Sequence, residues 1–195
     1  MSDRGRAEAA ALSDALHPVR LRALYSSPLE RARQTAAAVA EPHHLPVIVH
    51  EGLREIAVGE WEGLLMDEIE RRYAQVLREW WDRPHLTRIP GGETLEELRD
   101  RAVRAFDAIR DHVGEGPAAV MAHGGVNKTI LLTALGAPLS SYWRIRQANA
   151  CINVLEYDGG RGRVRVLNDT AHLAPLMPSD GARAPRVQRT SRETW

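Results

Sequence analysis

The stretch that decides the fold is AAVMAHGGV, at residues 118–126. Its unbroken apolar run, 118–122, is typical of a β-strand that is buried on both faces. His123 and two glycines end the run, and residues 127–135 then show helical periodicity before Gly136, a helix stop signal. A buried strand that leads directly into a helix is typical of an α/β fold.

Helical patterns recur on both sides of this stretch. Apolar residues are spaced as in a helix over residues 2–16 and 66–81, and Thr94 begins a third helix with a capping box. Ser-Pro-Leu-Glu at 27–30 predicts a further helix, with Ser27 as its N-cap and an end before Pro42. The helices therefore alternate with strand-like segments along the chain.

The strand-like segments complete the predicted architecture. Short apolar runs at 21–25 and 46–50 predict strands, and the runs at 151–157 and 163–167 flank an Asp-Gly-Gly turn typical of a hairpin. The alternation predicts an α/β fold of three layers, in which a mostly parallel sheet has helices on both faces and ends in an antiparallel hairpin.

Composition limits the domain count and the kind of partner. The 195 residues are 44% hydrophobic and 27% charged, so we expect one globular domain, residues 1–173, followed by a disordered tail, residues 174–195, rich in Pro, Arg and Ser. The net charge is zero, and no segment resembles a signal peptide or a membrane span. We therefore expect a cytoplasmic protein that binds neither nucleic acid nor membrane.

Two residue types bear on site chemistry. Cys151 is the only cysteine and lies in an apolar run, so neither a disulfide nor a metal-ligand set is expected, and we predict no cofactor. Lys128 is the only lysine among 26 basic residues. The arginines also permit a different class of protein, one that binds nucleic acid through them and the tail residues Arg183, Arg186, Arg189 and Arg192. The neutral charge and the lack of a recognition motif count against it.

Three polar residues follow predicted strands, at the edge of the sheet where α/β proteins bind ligands. Arg31 lies in the first turn of a helix, where it could bind phosphate oxygens or pair with Glu30. His123 precedes Gly124 and Gly125, where an imidazole could contact an anion or be satisfied in the core. Glu55 could be a general acid in a cleft or an exposed loop residue.

Taken together, four motifs resemble the histidine phosphatase superfamily, the phosphoglycerate-mutase-like proteins. They are SSPLERARQTA at 26–36, LRE at 53–55 with GEWEG at 59–63, PGGET at 90–94, and HGGV at 123–126. They occur in the order of that family and cover roughly residues 2 to 170. The resemblance implies the three-layer phosphoglycerate-mutase-like fold.

The resemblance also implies a mechanism that uses no metal. In that family a histidine of an Arg-His-Gly motif attacks phosphorus, and water hydrolyses the phosphohistidine. Arg31, His123 and Gly124 match the phosphate-binding positions, and His123 also matches the second catalytic histidine. Glu55 matches the residue that protonates the leaving alcohol and later activates water. The substrate would be a small phosphorylated metabolite, and the short stretch between Glu55 and Gly91 favours a broad-specificity phosphatase over a mutase.

The nucleophilic Arg-His-Gly motif is not found in the sequence. None of the other histidines follows arginine and precedes glycine: His17, His43, His44, His50, His85, His112 and His172. By resemblance the motif ends the first, central strand of the sheet, next to the strand before His123. Without that strand, two rows of backbone groups would lack partners, at about 1 kcal/mol or more per group, so the chain is predicted to fold poorly.

These observations leave three interpretations of activity. The leading one is a working phosphatase whose start codon was assigned too late, so that this polypeptide alone is inactive. The second is a catalytically dead relative that binds phosphorylated ligands or a partner. The third is a phosphoglycerate mutase.

Overall fold

A computed structural model describes residues 1–158 and 160–176. It contains five α-helices and five strands within these residues. In chain order they are α1 (Asp3–Leu16), β1 (Ala23–Ser26), α2 (Glu30–His43), β2 (Val47–Val49), α3 (Met66–Asp82), α4 (Leu95–Val113), β3 (Ala118–Met121), α5 (Gly124–Ala134), β4 (Ile152–Asp158) and β5 (Arg161–Asp169).

The strands form a parallel sheet and an antiparallel hairpin. The parallel sheet has the order β2-β1-β3, in which Ser26 is the register partner of both Val49 and Met121. The carboxyl ends of these strands therefore lie at one edge. β4 and β5 pair antiparallel. The predicted α/β fold with a parallel sheet is confirmed. The terminal hairpin also forms, but within the described residues it does not pair with the parallel sheet as we predicted.

Helices cover both faces of the parallel sheet. Adjacent residues of β1 point to opposite faces: Leu24 packs into a cluster with residues of α1 and α2, and Tyr25 packs into the main core, which α3, α4 and α5 supply. Thr94 caps α4 with the predicted box, since its side chain accepts from Glu97 N and the Glu97 carboxylate accepts from Thr94 N. The three-layer arrangement places both the α2 and the α5 N-termini at the carboxyl edge of the sheet.

Four strand edges are open in the part of the chain that the structure describes, and two of them belong to β3 and β4. β3 pairs only with β1, and β4 pairs only with β5. Our prediction that residues 118–122 are buried on both faces is wrong for this structure, because Ala118, Ala119 and Val120 are half-buried. The physical reason is that β3 has a strand neighbour on one side only. Met121 and Ile152, from β3 and β4, contact the same core cluster.

Helix α2 differs from its predicted bounds at both ends. It begins at Glu30 with Leu29 as N-cap, because the Ser27 side chain is bonded elsewhere. It also continues through Pro42, which has no N–H to donate to the Ala38 carbonyl. The Ser13 hydroxyl of α1 donates to that carbonyl instead, at 2.8 Å. A tertiary contact thus compensates for the hydrogen bond that proline removes.

Helix α5 begins three residues earlier than predicted. Its first residue is Gly124 rather than Asn127, and His123 is its N-cap. The prediction relied on apolar periodicity, which the two glycines interrupt, although their backbone is helical. The free N–H groups of the helix therefore follow His123 directly.

The predicted tail lies mostly outside the described residues. A short 3-10 helix, Ala171–Leu176, extends past the boundary that we predicted at 173, and Leu173 is buried. Residues 177–195 are not described. No helix in the described part is both long and apolar enough to cross a membrane.

Candidate functional site

The carboxyl edge of the sheet brings the three predicted residues into one region. His123 follows β3 and is the N-cap of α5, Arg31 lies in the first turn of α2, and Glu55 lies in the loop after β2. The Ser27 N–H donates to the Met121 carbonyl at 2.8 Å, which joins the ends of β1 and β3. The parallel pairing of the strands therefore places residues that are far apart in sequence at one edge of the sheet.

His123 is held by Ser27, a residue that sequence reasoning assigned only to helix capping. The His123 side chain is buried, with the residue 8% exposed, and its Nε2 shares a 2.7 Å hydrogen bond with Ser27 Oγ. Ser27 is fully buried, and its Oγ also accepts from Leu29 N at 3.2 Å. These contacts fix the orientation of the imidazole ring. The sequence signal that was available was the pair of serines directly after a buried strand.

The electrostatic environment of His123 opposes its protonation. Burial, followed by the positive charges of Arg31 and Arg101, lowers the pKa of His123 from 6.5 to about 4. The imidazole is therefore neutral near neutral pH in the free protein. The same positive field attracts an anion to the site.

Arg31 is free to bind a ligand, so the pairing with Glu30 that we considered is not what the structure shows. Glu30 instead contacts Arg33 at 3.8 Å and Gln34 at 3.0 Å. The Arg31 residue is exposed, and no carboxylate among the described residues lies within 4.0 Å of its guanidinium. It stands at the start of α2, where the helix dipole is positive.

Glu55 connects its loop to the N-terminus of α5. Its Oε1 accepts from Ile56 N at 3.0 Å, and its Oε2 accepts from Gly125 N at 3.1 Å. Glu55 is half-buried, so the alternative of an exposed loop glutamate is wrong. The carboxylate is held at the same helix terminus as His123, which places a proton-transfer group beside the candidate phosphate position.

An ion pair that sequence reasoning did not find holds the Glu55 loop. Arg101 of α4 bonds both Glu93 oxygens, at 2.6 and 2.7 Å. It also donates to the carbonyls of Gly52, Arg54 and Glu55, at 3.0, 2.6 and 3.0 Å. Arg101 therefore fixes the backbone that carries Glu55, in addition to acting on the pKa of His123.

We call the Arg101–Glu93 ion pair the clamp, because it holds the loop that carries Glu55. Glu93 belongs to the PGGET motif, for which the sequence analysis predicted no role. Its Oε2 accepts from Ala57 N at 3.0 Å. A Cβ on Gly92 would lie 2.5 Å from the Ala57 carbonyl oxygen, so only glycine permits this approach. The motif thus braces the Glu55 loop through backbone contact.

Gly125 allows Glu55 to approach the helix. A Cβ built on Gly125 would lie 2.4 Å from Glu55 Oε1, whereas one on Gly124 would meet only Gln147, at 4.0 Å. We expect Gly125→Ala to displace Glu55 and to lower the free energy of unfolding by roughly 1–3 kcal/mol. Gly124→Ala is the matched control and should not destabilise, since alanine favours the helix. Urea denaturation of both variants measures this, and equal stabilities would contradict the close contact.

The described residues do not include a cluster of three or more histidine, cysteine or carboxylate side chains placed to bind a metal ion. Cys151 is half-buried, and its Sγ contacts Gln147 Oε1 at 3.4 Å. The groups that converge are instead Arg31, His123, Glu55 and the N–H groups of α5. This set can bind an oxyanion and transfer a proton.

Comparison with known proteins identifies the family. The sequence profile of the Histidine phosphatase superfamily (branch 1) matches residues 1–170. This chain belongs to the histidine phosphatase superfamily. The resemblance carried by the four motifs is therefore confirmed.

One relative compared by sequence and two solved structures show how far the similarity extends along the chain. Phosphoserine phosphatase 1 of Hydrogenobacter thermophilus is 31% identical over 173 residues, which cover 89% of this chain and 82% of that protein. YhfR of Bacillus stearothermophilus is 32% identical with a TM-score of 0.85, over 89% of this chain and 86% of that one. A mycobacterial glucosyl-3-phosphoglycerate phosphatase is 25% identical with a TM-score of 0.78, over 88% of both chains.

Proposed function

We propose that this protein is a phosphatase for small phosphate monoesters that works through a phosphohistidine, and that the attacking histidine is not among its 195 residues. The observation that carries the proposal is the convergence of Arg31, His123 and Glu55 at the N-termini of α2 and α5. On this proposal the polypeptide alone binds phosphate and does not turn it over.

The phosphate is proposed to lie between the two helix termini. Arg31 would bind its oxygens with a guanidinium fork, and the Gly124 N–H would donate from the first turn of α5. His123 would contact a third oxygen, and a bound dianion would raise the pKa of His123 from about 4. Positive charge would thus be placed where the transferring phosphoryl group develops negative charge.

Glu55 is proposed to serve both steps of the reaction. In the first step a histidine nitrogen forms a bond to phosphorus, the ester oxygen leaves, and Glu55 gives that oxygen its proton. In the second step water attacks the phosphorus of the phosphohistidine, Glu55 accepts the proton of that water, and the P–N bond breaks to release inorganic phosphate and the free imidazole. The clamp of Glu93 and Arg101 supports this role, since it fixes the Glu55 backbone.

The open edges of β3 and β4 support a missing strand that carries the nucleophile. None of the eight histidines is part of an Arg-His-Gly sequence. Both edges lack a strand partner within the described residues, and both strands border the core cluster that contains Met121. We propose that a strand ending in Arg-His-Gly pairs there in the active protein.

Phosphatase rather than mutase is supported by the named activities of the relatives. The Hydrogenobacter protein is a phosphoserine phosphatase, and the mycobacterial one acts on glucosyl-3-phosphoglycerate. In this chain the stretch between Glu55 and Gly91 contains a single α-helix, α3. We therefore propose a small phosphorylated metabolite as the substrate.

The test of phosphate binding uses the 195-residue chain. Isothermal titration calorimetry with inorganic phosphate is expected to show binding that Arg31→Gln weakens by about 10-fold or more, the loss of a charged hydrogen bond. Arg33→Gln removes the same charge two residues away, from a side chain that contacts Glu30, and should bind as the parent does. Equal effects of the two substitutions would contradict the proposed role of Arg31.

The test of the missing nucleophile is turnover of p-nitrophenyl phosphate. The 195-residue chain is expected to release no phosphate, while a longer form that supplies the Arg-His-Gly strand is expected to be active. Turnover by the 195 residues that His123→Ala abolishes would overturn the proposal. If the longer form bound phosphate and stayed inactive, the protein would be a dead relative.

A further inference from the structure

Lys128 is a cation beside the candidate site to which no function has so far been assigned. It lies on α5, one helical turn beyond Gly125, and is the only lysine of the chain. Its Nζ is 4.6 Å from the ring centre of Tyr142 and 4.3 Å from that of Trp143. Two aromatic faces therefore hold the ammonium in one place, each within cation–π range.

The ammonium has no anionic partner in the described part of the chain. No described carboxylate lies within 4.0 Å of Lys128 Nζ, although nine arginine side chains among the described residues form such pairs. Burial lowers the pKa of Lys128 to about 8, while the charge of Glu55 acts in the opposite direction. The group is thus mainly charged near neutral pH, half-buried, and left with free N–H donors.

Tyr142 connects Lys128 with the carboxylate that would protonate the leaving group. A Cβ built on Gly125 would lie 2.4 Å from Glu55 Oε1 and 3.2 Å from the Tyr142 hydroxyl, so both groups border the same point of α5. Lys128 Nζ lies over the ring of that tyrosine. The ammonium is therefore on the side of the site where the leaving alcohol would meet Glu55.

We propose that Lys128 binds a carboxylate on the leaving alcohol, so that the substrates are phosphate monoesters of short hydroxy acids. This inference rests on the proposed function and specifies its substrate class. A carboxylate on the alcohol would lie near Glu55, and the Lys128 ammonium supplies the positive charge that attracts it there. The aromatic rings keep the ammonium in position without neutralising it, which leaves its N–H donors for the ligand.

The experiment compares two ligands that differ only in the carboxylate. O-phosphoserine and O-phosphoethanolamine are titrated into the 195-residue chain by calorimetry, with inorganic phosphate as a third ligand. The parent chain is expected to bind phosphoserine about 10-fold more tightly than phosphoethanolamine, as one charged contact provides. In Lys128→Met, which keeps an apolar side chain against the rings, the ratio should fall to about 1.

Two further variants separate charge from shape. Lys128→Arg keeps the charge and should retain a preference for phosphoserine. Arg20→Met removes one positive charge from an exposed position after α1 and should leave the ratio unchanged. Thermal unfolding of each variant shows that the altered ratio does not come from a loss of folding.

The outcomes distinguish this inference from the proposed function. If the parent chain binds phosphate but binds both esters equally, or if Lys128→Met keeps the preference, the inference is overturned and the phosphate site remains. If none of the three ligands binds, both proposals fail. A preference that Lys128→Met abolishes and Arg20→Met retains supports the inference.

Discussion

Glu93→Ala is expected to lower the free energy of unfolding by about 3 kcal/mol, because it leaves the Arg101 charge without its partner. The pair is largely shielded from water, with both side chains 22% exposed. Burial would raise the pKa of Glu93, but the hydrogen bonds from Arg101 and Ala57 N outweigh it, and the pKa is lowered. The ionised carboxylate is thus the form that the folded state stabilises.

The same substitution is expected to reach the candidate site. Arg101 donates to the Glu55 carbonyl and to two other carbonyls of the same loop. Loss of Glu93 releases both Arg101 and the Ala57 N–H, so the backbone at Glu55 is no longer fixed. Phosphate affinity should therefore decrease together with stability.

Urea denaturation at neutral pH measures the loss of stability. Glu156→Ala is the control, since Glu156 pairs with Arg165 on the exposed face of the hairpin, with side chains 49% and 69% exposed. That substitution should cost less than about 1 kcal/mol, the usual range for a surface ion pair. A comparable loss in both variants would show that the clamp has no special structural role.

The second large effect is a loss of stability in mild acid that arises from His123. The pKa of this imidazole is about 4 in the folded protein and about 6.5 when unfolded, so the unfolded chain binds more protons between these values. Above about pH 6.5 the imidazole is neutral in both states, and His123 does not lower the free energy of unfolding. As the pH falls towards 4, the unfolded chain gains the proton first, and the free energy of unfolding decreases. The decrease amounts to about 3 kcal/mol, with a slope of up to about 1.4 kcal/mol per pH unit.

The variant His123→Asn isolates this contribution from the carboxylates that titrate in the same range. The difference in unfolding free energy between the parent and the variant should shrink as the pH falls from about 6.5 to 4. A difference that stays constant with pH would show that His123 titrates normally.

A nuclear magnetic resonance titration of the imidazole tests the cause of the shift. Arg31→Gln removes one of the two cations that lower the pKa of His123, so the pKa should rise. Arg33→Gln removes a charge that is not among the causes of the lowered His123 pKa, and it serves as the control.

The periodicity of apolar residues predicted the elements well where local signals agreed. α1, α3 and α4 occur within a residue or two of their predicted bounds, and the Thr94 capping box formed as expected. The prediction failed at Pro42, because the hydroxyl that satisfies the Ala38 carbonyl comes from another helix. The prediction of Ser27 as a helix cap failed for a similar reason, since the Ser27 hydroxyl is hydrogen-bonded to His123, which is distant in sequence.

The apolar run before His123 and its glycines by themselves determined an α/β fold with a candidate anion site at a strand end. Local sequence can specify this, since hydrophobic period and glycine placement act over a few residues. Only the tertiary structure decided which groups surround that site. Ser27 reaches it through strand register and Arg101 through hydrogen bonds to the Glu55 loop, and the rings of Tyr142 and Trp143 hold the Lys128 ammonium in position. These are contacts between distant parts of the chain, and no local pattern encodes them.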